Sequence, residues 1–397
     1  MWSFPNTKTI RIGVVGTGFI ARRMFDSARL MSDLRVTRAL TRRPLESCDE
    51  VPGHVQLTHS LQDVIDHADV VVECSGDPVH ATPVVREALD AGLPVITMNS
   101  EFHVTCGSHF VDRGYLTEAH GDQPGVQAAL HLEATGMGFE PIAYGNMKGF
   151  LNLDPKAEEM QYWASRQGFS VQQTTSFTDG TKVQIEQAFV ANSFGADIAK
   201  PGLLALRSET FEEATGKLAA AAVDHGTPIS DFIVVPGQAP GVFVIATIDE
   251  SQRPVLEALK MGPGPHYTLV RPYHLCALEI PNTIRQAVQG HPPLLNNSAT
   301  PTIGVAAVAK KALQPGDQID VGIGSFLVRG EAVRLAERPD HVPIGILAGA
   351  TITRRVAAGE MLTLDQVDLP PSEARDIALG SVQDAALRRS APSAEDV

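Results

Sequence analysis

The sequence has little of what marks secreted, membrane-spanning or nucleic-acid-binding proteins. Its 397 residues include four cysteines, none of them paired as C-x-x-C, which argues against a disulfide framework and favours a reducing, cytoplasmic location. No apolar run reaches the roughly 18 residues that a membrane-spanning helix needs. The formal net charge of −14 disfavours nucleic acid or an anionic membrane as partner. We therefore expect a small-molecule ligand, and a homo-oligomer in the cytoplasm.

The first chemical motif follows a short apolar run rich in β-branched residues. Residues 9–15 have the composition of a buried parallel strand, and residues 16–21 then read G-x-G-x-x-A ahead of a helical stretch. Gly16 permits the tight turn, Gly18 lets the backbone approach a pyrophosphate, and Ala21 lets the helix pack closely. The residues assigned to cofactor binding here are Gly16, Thr17, Gly18, Phe19 and Ile20.

Strand and helix patterns then alternate along the first 100 residues. Strands are predicted at 34–40, 69–76 and 94–99, with helices at 61–68 and 80–91 between them. This alternation predicts a doubly wound parallel sheet of the Rossmann type, in which ligands bind at the carboxyl ends of the strands. Three further cofactor residues are predicted at those ends: Ser75, Gly76 and Asn99.

Two arginines follow the second predicted strand. NAD-specific sites usually carry an acidic residue there for the ribose 2′-hydroxyl, whereas this chain has Arg42 and Arg43. Guanidinium groups pair well with a 2′-phosphate, so NADP is the predicted cofactor and NAD the alternative. The competing interpretation is a pair of solvated surface arginines.

Two later segments carry candidate catalytic groups. Lys148 follows a predicted strand at 141–145, where it would polarise a carbonyl or bind an anion, unless it is an ordinary solvent-facing lysine. A helix beginning near Thr178 would place Asp179, Lys182 and Glu186 on one face. The alternatives for that face are an active site or a structural ion pair between Lys182 and Glu186.

The predicted organisation is α/β with three parts and a tail. Residues 1–150 form the Rossmann domain, and residues 151–300 an α+β substrate domain. Residues 301–388 show short strands separated by glycine and proline, typical of a β-rich module, and residues 389–397 are predicted to be a disordered tail.

With these motifs in view, the chain resembles the homoserine-dehydrogenase-like oxidoreductases with a C-terminal SAF domain. Within them it is similar to the 1-deoxy-D-xylulose-5-phosphate reductoisomerase-like enzymes. The resemblance rests on the Gly16 loop and on four further segments, followed by turn-and-strand motifs at 313–317 and 357–363. Those segments are residues 121–125, 145–152, 178–186 and 271–274. Two departures, Ser100-Glu101 after Asn99 and Leu153-Asp154 after Asn152, argue against homoserine as substrate.

The resemblance implies hydride transfer between NADP and a carbonyl or alcohol of a small, polar, sugar-like substrate, with or without a phosphate group. Lys148 and Lys182 would polarise the oxygen, and Asp179 or Glu186 would relay the proton. Glu101, Asp179 and Glu186 are alternatively ligands for Mg²⁺ or Mn²⁺. A dehydrogenase of homoserine or a hydroxy acid, and a sensor that binds NADP or a sugar without turnover, remain the other hypotheses.

Overall fold

The computed structural model describes residues 9–390 and begins with a six-stranded parallel sheet. The strands are β1 (Ile10–Val15), β2 (Leu34–Leu40), β3 (Gln56–Thr58), β4 (Val70–Glu73), β5 (Val95–Thr97) and β6 (Leu116–Glu118). The helices are α1 (Phe19–Arg29), α2 (Leu61–Asp66), α3 (Pro78–Asp90) and α4 (Ser100–Thr105). The strand order is β3-β2-β1-β4-β5-β6, the doubly wound order of dinucleotide-binding domains. The predicted Rossmann fold is confirmed.

Local sequence explains these elements. The first three residues of β4 are valines that are fully buried, as expected for a central parallel strand covered on both faces. Helix α2 begins after Ser60, whose side chain accepts a hydrogen bond from the amide of Asp63 at 3.2 Å. Asp77 likewise precedes α3 and accepts from the amides of Val79 and His80.

A second, mixed sheet has the order β11-β10-β7-β9-β8. Its strands are β7 (Glu140–Lys148), β8 (Leu206–Arg207), β9 (Ile229–Val234), β10 (Gly241–Thr247) and β11 (Tyr267–Arg271). The helices of this region are α5 (Gln123–Gly136), α6 (Ala157–Gln167), α7 (Val171–Thr178), α8 (Thr181–Phe194), α9 (Phe211–His225), α10 (Arg253–Ala258) and α11 (Ile280–Val288). Strand β7 lies in this sheet although it precedes residue 150, and α11 packs back on the first sheet through an Arg285–Asp33 ion pair at 2.7 Å. Each of the two large sheets therefore includes or contacts elements from outside the range of residues predicted for its domain.

The remaining strands form two small antiparallel sheets, followed by a long helix. The elements are β12 (Ile303–Ala309), β13 (Gln318–Ile319), β14 (Val328–Arg334), β15 (Ala350–Ile352), β16 (Val367–Asp368) and α12 (Glu373–Ser390). Residues of β12 and β14 share one hydrophobic core with α8. Helix α12 packs against α3, where Arg86 donates to Glu373 at 3.0 Å. The C-terminal region is thus β-rich, as predicted, and is built into the rest of the molecule.

Two predicted boundaries need correction. The helix expected to begin near Thr178 begins instead at Thr181, because α7 ends at Thr178 and Gly180, with φ +86°, separates it from α8. Of the tail predicted at 389–397, residues 389 and 390 belong to α12, and residues 391–397 lie outside the described residues. None of the helices in residues 9–390 is long and apolar enough to cross a bilayer.

Candidate active site

The glycine-rich loop leaves room for a phosphate group. Gly16 has φ +106°, and a Cβ there would lie 3.1 Å from the Cys74 carbonyl oxygen, so a larger residue would be strained. A Cβ on Gly18 would meet no atom within 4 Å, so the space above it is open. Gly18 also precedes α1, whose first-turn amides have no partner within the helix. The loop therefore fits the pyrophosphate of a dinucleotide.

Arg42 and Arg43 lie where predicted, at the end of β2, and each already has a carboxylate partner. Arg42 contacts Asp77 at 3.0 Å, and Arg43 contacts Glu50 at 2.6 Å. Arg43 also donates to the hydroxyl of Thr17 at 2.9 Å, which ties it to the glycine-rich loop. Their side chains remain 63% and 45% exposed, so both can exchange these partners for a phosphate.

A buried carboxyl group joins two other predicted cofactor residues. Glu73, at the end of β4, accepts from the Ser75 amide at 2.7 Å and from the Asn99 side chain at 2.8 Å. Gly76 follows Ser75 with φ +66°. Burial raises the pKa of Glu73 to about 7. Glu73 thus fixes the loops after β4 and β5 relative to one another.

Lys182 is surrounded by oxygen atoms at the junction of the two large sheets. Its ammonium donates to Ser100 Oγ at 2.7 Å and to Glu101 Oε2 at 2.9 Å, and lies 3.7 Å from Asp122 Oδ2. Although burial alone would lower the pKa of Lys182, the surrounding carboxylates, Asp122 first, raise it above its ordinary value. An ammonium has three hydrogens, so one N–H of this charged group is available to a substrate oxygen.

A second lysine and a second carboxyl group lie beside this cluster. Glu186 lies one turn along α8 from Lys182. Its carboxylate accepts a hydrogen bond from the side-chain amide of Asn146 at 2.9 Å and lies 3.7 Å from the Lys148 ammonium. Lys148 in turn donates to Gln123 Oε1 at 3.1 Å. Burial raises the pKa of Glu186, although both lysines oppose the shift. The predicted Lys182–Glu186 ion pair does not form, because each group has another nearest partner of opposite charge.

Asp179 does not belong to this cluster. Its carboxylate binds the Lys310 ammonium of the C-terminal region at 2.6 Å and accepts from the Thr181 amide at 2.8 Å. The predicted common face of Asp179, Lys182 and Glu186 is therefore wrong, since Gly180 separates Asp179 from α8. The proposed metal ligands Glu101, Asp179 and Glu186 are not brought together either, and residues 9–390 contain no group of three or more potential metal-binding side chains.

Sequence reasoning missed two acidic residues of the site, Glu118 and Asp122. Glu118 is the last residue of β6 and Asp122 directly precedes α5, where its carboxylate lies 3.7 Å from the Lys182 ammonium. Gly121 between them has φ +102°, and a Cβ there would lie 2.1 Å from the Cys276 carbonyl oxygen, so this tight turn requires glycine. The Gly121-Asp122-Gln123-Pro124-Gly125 motif was the available signal, because it places an acid directly before a helix at a strand's carboxyl end.

The same turn contacts the segment after β11. His274 Nδ1 lies 3.0 Å from the Gly121 carbonyl oxygen, and Arg271 forms an ion pair with Glu279. These side chains thus have structural partners. They hold the 271–279 segment against the turn that carries Asp122.

Two family models match the chain. Residues 12–105 match the NAD-binding domain of homoserine dehydrogenase, and residues 121–280 match the catalytic domain of the oxidoreductase DRL. The chain is an NAD(P)-dependent oxidoreductase. No curated protein matches it in a sequence search.

Solved structures of similar fold are distant. UDP-N-acetylglucosamine 3-dehydrogenase from Acidithiobacillus ferrooxidans is 11% identical, with 73% of this chain and 92% of that chain covered at a TM-score of 0.44. Scyllo-inositol dehydrogenase from Lactobacillus casei is 11% identical over 73% and 92%, with a TM-score of 0.40. Dihydrodipicolinate reductase from a Paenisporosarcina species is 12% identical over 73% and 97%, with a TM-score of 0.35.

Proposed function

We propose that this oxidoreductase transfers a hydride between NADP and a carbonyl or alcohol carbon of a small, sugar-like substrate, either a free sugar or a sugar phosphate. The observation that carries the proposal is the position of Lys182, a buried ammonium with one uncommitted N–H close to the edge of the cofactor sheet. The nicotinamide supplies or accepts the hydride when it is bound.

Lys182 would bind the reacting oxygen. A carbonyl oxygen gains negative charge as the hydride arrives, and a fixed ammonium in a water-poor site stabilises that charge strongly. Ser100 and Glu101 hold the ammonium in place through two hydrogen bonds, so little reorganisation is needed. Its raised pKa keeps Lys182 charged throughout the neutral range.

Lys148 and Glu186 would bind the rest of the substrate. Lys148 is partly exposed at the end of β7 and has two further N–H groups for a phosphate or a hydroxyl. The carboxyl oxygens of Glu186 would accept hydrogen bonds from hydroxyl groups. Because burial raises its pKa, Glu186 would also exchange a proton with them. A polyhydroxylated substrate satisfies both groups. An isomerisation before reduction, as in the reductoisomerase-like enzymes, rests only on the sequence resemblance.

The proposal is tested by following reduced nicotinamide absorbance with a panel of ketoses, polyols, their phosphates and homoserine. Substrate-dependent oxidation of NADPH, or reduction of NADP, is expected with a sugar or sugar phosphate. Lys182→Met should then lower kcat by about 10²–10³. Lys156→Met, which removes an exposed lysine of the same chain, is the matched control. Bound cofactor with no turnover on any compound would instead support the sensor hypothesis.

A further inference from the structure

The strongest unexplained feature of the site is a pair of buried carboxyl groups. Glu118 is fully buried and Asp122 is 8% exposed, and the two carboxyl groups are close enough for each to shift the pKa of the other. Glu118 Oε1 and Asp122 Oδ2 are nevertheless left without a hydrogen-bond donor. Two ionised carboxylates cannot satisfy each other, because both offer only acceptors. A single proton held between the two groups removes the charge repulsion and supplies the missing hydrogen-bond donor.

The surroundings of Glu118 favour its protonated form, so Glu118 is the member of the pair that carries the proton. Thr97 donates to Glu118 Oε2 at 2.5 Å, so Oε1 is the oxygen free to carry hydrogen toward Asp122. His103 Nε2 lies 3.3 Å from the same Oε2 but has no hydrogen bond. Burial lowers the pKa of His103 to about 3, so it stays neutral and does not compensate a charge on Glu118.

Asp122 is the ionised member, because it faces Lys182. Burial alone would raise the pKa of Asp122, but the Lys182 ammonium and the neighbouring Glu118 carboxyl group lower it below its ordinary value. Burial, followed by the charge on Asp122, raises the pKa of Glu118 well above its ordinary value. The nearby Cys74 thiol is also kept neutral, since burial raises its pKa.

We propose that Glu118 and Asp122 share one proton and hold it beside Lys182, which makes Glu118 a positioning residue for proton transfer at Lys182. This inference rests on the proposed function. As hydride reaches the carbonyl carbon from NADPH, the oxygen takes a proton from Lys182, so an N–H bond breaks and an O–H bond forms. The Lys182 amine then takes the proton of the carboxyl pair through Asp122. The pair, now doubly ionised, recovers a proton from water in the cleft.

The sharing of the proton is testable without cofactor or substrate. Glu118→Gln places an amide N–H where the carboxyl O–H would be, so it mimics the protonated acid. Between pH 5 and 8, Tm of this variant should rise relative to wild type as the pH increases, because wild type must keep a proton bound that the unfolded chain releases. Calorimetric unfolding at pH 7 in buffers of different ionisation enthalpy should show that wild type releases about one proton more than the variant. Glu133→Gln, at an exposed carboxyl on α5, should change neither quantity.

The opposite signs would overturn the proposal. If Glu118 were ionised in the folded protein and held no shared proton, Glu118→Gln would lower Tm across the whole pH range and leave the proton count at pH 7 unchanged. In single-turnover hydride transfer, Glu118→Gln should keep NADPH affinity but lose at least tenfold in rate and lose the alkaline limb of the pH profile. An unchanged rate and profile would refute the role in proton transfer. Absence of turnover in wild type would contradict the proposed function alone, since the unfolding measurements do not depend on it.

Discussion

Removing Lys310 should destabilise the protein strongly, because Asp179 would keep a buried negative charge without a partner. The two side chains are 1% and 0% exposed, and Nζ and Oδ2 are 2.6 Å apart. At an effective dielectric constant of about 20, two charges at this distance attract by roughly 6 kcal/mol, which desolvation largely offsets. Breaking such a pair from one side typically costs about 3–5 kcal/mol. Lys310→Met also leaves the Ser325 carbonyl without its 2.6 Å hydrogen bond.

The assay is thermal unfolding of Lys310→Met, Asp179→Asn and the double variant, over pH 5 to 8. Burial raises the pKa of Asp179, and loss of Lys310 would raise it further. A raised carboxyl pKa means that stability falls as pH rises, so the loss in Lys310→Met should be larger at pH 8 than at pH 5. The double variant should be less destabilised than the sum of the singles.

The exposed Lys156–Asp154 pair provides a distance-matched control. Its atoms are 2.7 Å apart, but its side chains are 71% and 58% exposed. Lys156→Met should leave Tm unchanged within error, because an exposed pair contributes little. If Lys310→Met and Lys156→Met had equally small effects, or if the loss were larger at low pH, the assignment of Asp179 to a structural pair would be refuted.

Three other predictions follow from single contacts. Replacing both Arg42 and Arg43 with Ala should weaken NADPH at least about tenfold and leave NADH nearly unchanged, whereas equal wild-type affinities in fluorescence titration would contradict the NADP assignment. Gly121→Ala should lower Tm or abolish folding because its Cβ would lie 2.1 Å from a facing carbonyl oxygen, while Gly136→Ala, in a helix with nothing within 4 Å, should be neutral or stabilising. With the pKa of Glu73 raised to about 7, wild-type stability should decline by about 3 kcal/mol as pH rises from about 4.5 to 7, and Glu73→Gln should remove that slope whatever its absolute Tm.

The sequence predicts well what depends on neighbouring residues. The strand before Gly16, the turn at Gly18 and the cap at Ser60 each act within a few positions, and the alternation of strands and helices fixes the parallel sheet. These predictions hold because local propensity and the buried environment favour the same conformation.

Prediction from the sequence failed where a partner comes from a distant part of the chain. Asp179 pairs with Lys310, 131 positions away, and no local pattern indicates that contact. The i, i+3 and i+7 spacing suggested a common face, but the left-handed Gly180 interrupts the helix, and this glycine was the overlooked signal. Asp122 and Lys182 come within 3.7 Å only through the packing of α8 against the turn after β6, so their proximity is a tertiary property.

The packing of α12 on α3 has a consequence for synthesis. Arg86 and Glu373 are 287 positions apart, and the hydrophobic cluster of α3 and α4 also takes in Ala374 and Ala378. At translation rates of about 5–20 residues per second, α12 is synthesised roughly 15 to 60 s after the surface of α3 on which it packs. The first sheet therefore emerges long before it is complete, and during this interval its exposed apolar face is a target for chaperones and for aggregation.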